Sequence, residues 1–126
     1  MNASIELAAS VVVFKQELEQ ARLSIEDVIW ICADYGIQAL EVRDEERFGL
    51  PPTDVPAAEF NETYERLKLL STDSDVSLIV ASGASLCEEA DCPRLLRAIT
   101  GAKSLGSPVV RVFLSELAEW QTGEKD

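Results

Sequence analysis

The chain has 126 residues, a length that suits one domain with a single modest core. Nearly half of them, 47%, are apolar, which excludes a disordered chain. The net charge is −12, from 23 acidic and 11 basic residues, and so acidic a surface repels nucleic acid and anionic membranes alike.

The longest early apolar run, Val11 to Phe14, is far too short for a signal core or a membrane span. Three cysteines, an odd number, fit reduced thiols in a reducing compartment, and the expected location is cytoplasmic. Cys87 and Cys92 lie five apart in a chain with no histidine, which is a poor basis for a zinc site. Cys32 falls on an apolar helix face and is expected in the core.

In chain order, a first strand is expected over residues 5–9, followed by an irregular segment over 10–23. Ser24 and Asp27 have the spacing of a capping box and open a helix. Its apolar positions Ile25, Val28, Ile29 and Cys32 share one face, and Gly36 stops it. A second strand runs over 39–43. Residues 44–58, with Pro51, Pro52 and Pro56, read as a loop. A helix over 59–71 carries the stripe Phe60, Tyr64, Leu67 and Leu70, and residues 71–75 read as a turn. The third strand is expected over 76–81, and the small residues of 82–92 as a loop. Pro93 opens the next helix, with Leu95, Ile99 and Ala102 facing inward and Gly106 as its stop. The fourth strand covers 109–113, and a further helix is expected from Ser115 through Leu117 and Trp120.

Strict alternation of strand and helix predicts one α/β domain over residues 1–126 with a parallel sheet. Gly36 precedes Glu41 at the offset at which Gly106 precedes Arg111, a weak internal repeat that suits a β/α barrel or an open doubly wound sheet. The position after the first strand reads Ser10-Val11-Val12-Val13-Phe14 and lacks the glycine fingerprint of a dinucleotide site. Long loops after the strands and short links from helix to strand favour the barrel.

Two stretches resemble a known family. Arg22-Leu23-Ser24-Ile25-Glu26-Asp27-Val28-Ile29, followed by Ala33-Asp34-Tyr35-Gly36-Ile37-Gln38-Ala39-Leu40-Glu41-Val42-Arg43-Asp44, is similar to the first helix and second strand of the xylose-isomerase-like barrels, the sugar phosphate isomerases and epimerases. Ala102-Lys103-Ser104-Leu105-Gly106-Ser107-Pro108-Val109-Val110-Arg111-Val112-Phe113 resembles that family's third helix and fourth strand.

The resemblance implies half of an eight-stranded barrel, four strands with three to four helices, and a small carbohydrate as the substrate of a complete barrel. It also implies a divalent metal held by Glu, Asp, His and Glu from the other half, so that no cofactor and no catalytic residue is expected within these residues and the chain alone is expected to be inactive. The residues expected to line the site are Phe14, where the family places an aromatic against the sugar, together with Glu41 and Arg111. By alternation along their strands the last two point into the barrel, where an inward carboxylate needs a cationic partner. The expected partners are a second copy or a complementary half-barrel. The alternatives are a non-catalytic half-barrel that binds or assembles, and an open flavodoxin-like sheet with a ligand at its strand ends.

Overall fold

A computed structural model of the chain describes residues 6–45, 47–51, 55–86 and 88–113. Four strands, β1 (Ala8–Ser10), β2 (Ala39–Arg43), β3 (Ser77–Ser85) and β4 (Val110–Phe113), form one parallel sheet in the order β1-β2-β3-β4. Sequential order is that of a β/α barrel wall. A doubly wound sheet reverses direction at a switch point, so the flavodoxin-like alternative is set aside. The arrangement is α/β and consistent with half of a β/α barrel.

Four helices accompany the strands: α1 (Lys15–Glu19), α2 (Ile25–Asp34), α3 (Ala57–Ser74) and α4 (Cys92–Leu105). They pack with one face of the sheet. Leu40 and Val42 of β2, Leu78 and Val80 of β3, Val28, Ile29 and Cys32 of α2, and Phe60, Tyr64 and Leu67 of α3 make one buried cluster. Cys32 is fully buried and unpaired, and burial pushes its thiol pKa up. The opposite face, which in a barrel points inward, carries Glu41, Arg43, Arg111 and Phe113 by alternation.

The start of α2 is the expected capping box. Ser24 N–H donates to Asp27 Oδ2 at 2.9 Å, and Asp27 N–H donates to Ser24 Oγ at 3.2 Å. Gly36 adopts φ 73 just beyond the helix, and Ile37 N–H closes onto the carbonyl of Cys32 at 2.8 Å.

Several boundaries differ from expectation. The segment over 10–23 is not irregular: Ser10 Oγ accepts from Val12 N–H and caps a 3-10 turn, Val11–Phe14, that leads into α1. The unbroken run Val11-Val12-Val13-Phe14 hides the helical period, which survives in the burial of Val11 and Leu18 alone. α3 extends through the residues read as a turn, because Asp75 takes the left-handed conformation by itself, at φ 58, and reverses the chain within one residue. β3 continues to Ser85, into the segment read as a loop, with a register shift between Ala81 and Ser85 that lets Ser85 pair with Phe113.

On α4 the inward face is Ala98, Gly101 and Ala102. Ile99 is 39% exposed and Leu95 half-buried. The reason lies across the interface: Gly101 sits against the Tyr64 ring of α3, where a Cβ would collide with it. Close approach of two helices selected small residues over the larger apolar ones. The helix expected from Ser115 lies outside the described residues. No helix among them is long and apolar enough to cross a membrane.

Candidate functional site

Parallel β/α sheets bind ligands at the C-terminal ends of their strands. There β1 ends in Ser10, β2 in Glu41 to Arg43, and β4 carries Arg111 and Phe113.

Glu41 pairs in register with Ser10 on one side and Ile79 on the other, and Arg111 pairs with Ala81 of β3. Arg111 therefore reaches diagonally across β3, from the level of the small, buried Ala81 to that of Ile79. Its Nη1 donates to Glu41 Oε2 at 2.6 Å, and Ser10 Oγ donates to Glu41 Oε1 at 3.4 Å. The ion pair expected from the matching offsets is formed. For a pair fully inside a barrel, removing one partner costs on the order of 3–5 kcal/mol. The geometry is different: the Glu41 side chain is 14% exposed but that of Arg111 is 69% exposed. A double-mutant cycle on Glu41→Gln and Arg111→Gln, read by urea unfolding, should give a coupling of roughly 0.5–1 kcal/mol. A coupling of several kcal/mol would show that the pair is covered in solution.

Phe14 ends the 3-10 turn after β1 and is half-buried against the helix-side core. The structure thus joins Glu41 with Arg111 and gives Phe14 a packing role at the end of the neighbouring strand.

Two residues were missed as site candidates. Arg43, two positions beyond Glu41 on the same face, donates Nη2 to Glu45 Oε1 at 3.0 Å and sets its guanidinium 5.9 Å from the Phe113 ring centre. Its Nε is buried and has no hydrogen-bond partner among the described residues. Arg43, Arg111, Glu41 and Phe113 line a small cavity of about 40 Å³. The signal for Arg43 was the same alternation that singled out Glu41.

The second residue is Asp44, one position on and therefore on the helix side. Both its oxygens are occupied: Arg94 of α4 donates Nε to Oδ2 at 2.9 Å and Nη2 to Oδ1 at 2.7 Å, Gly83 N–H donates to Oδ1 at 2.8 Å, and Ser82 Oγ donates to Oδ2. Burial alone would raise the Asp44 carboxyl pKa, but the hydrogen bonds from Arg94, Ser82 and Gly83, with the Arg94 charge, hold it below the usual aspartate range. A Cβ at Gly83 would meet the Arg94 guanidinium and force it to shift from its place on Asp44. This clamp ties the ends of β2 and β3 to α4. Nearby Tyr64 is buried, and burial followed by the Asp44 charge pushes its phenol pKa up.

Neither carboxylate suits the divalent metal that the sequence resemblance implies for a complete barrel. Glu41 is held by a guanidinium and a hydroxyl, and Asp44 by four donors, so a cation would have to displace cationic or hydrogen-bonded partners already in place. What this rim offers is a mutually neutralised set of acceptors and donors with an aromatic ring beside it.

Comparison of the chain with protein-family models and with curated proteins finds no match to either. The likeness to xylose-isomerase-like barrels therefore rests on the quoted residues.

Proposed function

We propose that these residues form one wall of a β/α barrel of the sugar isomerase or epimerase type, a wall that contacts a small carbohydrate and has no catalytic activity alone. The observation that carries the reading is the chain Ser10–Glu41–Arg111 across the inner face of a sheet in sequential strand order. A sugar presents hydroxyls that both donate and accept, and a carboxylate beside a guanidinium meets both needs without a net charge. In this reading Glu41 accepts from a hydroxyl and Arg111 donates to one. Proton transfer next to a carbonyl needs an acid, a base and a polarising group, and those belong to the facing wall of the barrel.

A second reading, a non-catalytic half-barrel that serves assembly, is favoured by the exposure of Val109, just before β4, and Phe113, at its end, each 52%. Amide shifts in an NMR titration with aldoses, ketoses and their phosphates separate the two. The carbohydrate reading predicts shifts at Ser10, Glu41 and Arg111 that vanish in Glu41→Gln, with no interconversion of the sugars by the chain alone. Absence of any shift at the inner face would leave the assembly reading in its place.

A further inference from the structure

On the helix side of the sheet, Leu18 of α1, the start of α2, Arg47, Gly49, Leu50, Pro51 and Val55 after β2, and one face of α3 border an open groove of about 540 Å³. That is the size of sites that take small organic molecules. Its base is apolar: Leu18 and Leu50 are buried in the core, and Val55 packs against it. Its rim carries Arg22, Arg47 and Arg66, three of the seven arginines of a chain whose net charge is −12. None of the three forms an ion pair among the described residues. The acidic groups that face the groove are Asp27 and Glu59, and Asp27 is already committed to the Ser24 N–H in the α2 cap.

Two further facts set this groove apart from an ordinary surface furrow. Arg47 donates Nη1 to the carbonyl of Glu19 at 3.0 Å, which fixes its guanidinium over the end of α1 and leaves its other N–H groups to a ligand. Ala21, at φ 55, and Arg47, at φ 71, both line the groove, and neither residue type has a side chain that eases the left-handed conformation. Backbone held in this region at non-glycine positions concentrates at ligand clamps.

We infer that this groove binds a small amphiphilic anion, an apolar body bearing one carboxylate, sulfonate or phosphate group, with the body on Leu18, Leu50 and Val55 and the anion among Arg22, Arg47 and Arg66. Guanidinium groups suit such anions because they donate two parallel N–H bonds to one anionic group. The inference is independent of the carbohydrate reading, which concerns the opposite face of the sheet.

The test is a fluorescence and calorimetric titration of the folded chain with 8-anilinonaphthalene-1-sulfonate, followed by competition with decanoate and with inorganic phosphate. Saturable one-to-one binding is expected, displaced by decanoate and only weakly by phosphate. The double variant Arg22→Gln/Arg66→Gln, checked for its fold by circular dichroism, should weaken binding by about tenfold or more, and added salt should weaken it too. Lys103→Gln, a change on α4 outside the groove, should leave it as it was. Absence of saturable binding, an unaltered affinity in the double variant, or loss of binding in Phe113→Ser instead would overturn the inference, the last by placing the dye on the open sheet face.

Discussion

Replacing Asp44 by alanine is expected to destabilise the fold by about 3 kcal/mol or more, toward the lower end of the range for breaking a buried pair because the Arg94 side chain is 31% exposed. The Asp44 side chain itself is only 7% exposed and accepts from Arg94, Ser82 and Gly83. Its removal strands a guanidinium, a hydroxyl and a backbone N–H at the junction of β2, β3 and α4. A loss of this size is a large part of the stability of a typical small domain. Arg94→Ala should also be costly, and the double variant should lose less than the two singles together. The carboxylate gives the clamp a pH signature. Its pKa is lowered in the folded state, so its contribution is complete above the unfolded aspartate value, near 4, and is lost as pH falls through the lower folded value. The stability gap between the natural chain and Asp44→Asn, followed by urea unfolding, should hold steady from neutral pH to about 4.5 and narrow below it. A gap under about 1 kcal/mol at neutral pH would show that the clamp is not a structural element.

Association with a second copy of the chain is the other large expected effect. β1 and β4 are the outer strands of the sheet, and their outer backbone groups have no partner strand among the described residues. The residues of β1, Ala8–Ser10, and of β4, Val110–Phe113, include no proline and no lysine, the usual guards of an open edge. Both sides also expose apolar surface: Leu7 is 58% exposed beside β1, and Val109 and Phe113 are each 52% exposed at β4. Setting β4 of one copy beside β1 of the other, twice about a two-fold axis, gives eight parallel strands and covers both edges. The facing inner surfaces bring the pairs Glu41–Arg111 and Arg43–Glu45, two acids and two bases, a balanced set that does not strongly repel its own image. Apolar burial contributes roughly 25 cal/mol per Å², so several hundred Å² offset much of the cost of association. The net charge of −12 opposes pairing weakly at physiological salt, where charges beyond about 8 Å are screened.

What was legible in the sequence follows from which signals are local. The Ser24–Asp27 box and the Gly36 stop fixed the ends of α2, because each is decided within a few residues. Alternation along β2 and β4 placed Glu41 and Arg111 on one face, and the shared offset from Gly36 and Gly106 put them in reach of each other. Local pattern could not tell that Arg111 stays open to water, since exposure depends on what covers the inner face. The extension of β3 to Ser85 was hidden because Ser82-Gly83-Ala84-Ser85 has loop-like composition. The backbone there is held by Asp44, 38 residues before Ser82, which accepts from Ser82 and Gly83 and is itself clamped by Arg94 of α4. The inward face of α4 was misplaced for the same reason: Tyr64, on another helix, decides that Gly101 and not Ile99 points to the core.

If this four-stranded sheet is one wall of a barrel, its open edges pair, and light scattering coupled to size-exclusion chromatography over a wide concentration range reads that pairing. A species at twice the chain mass of 13.8 kDa is expected, reduced to the single-chain mass when Val109→Lys and Phe113→Lys place charges at the β4 edge. A monodisperse single-chain mass at every concentration, unchanged by those substitutions, would contradict it.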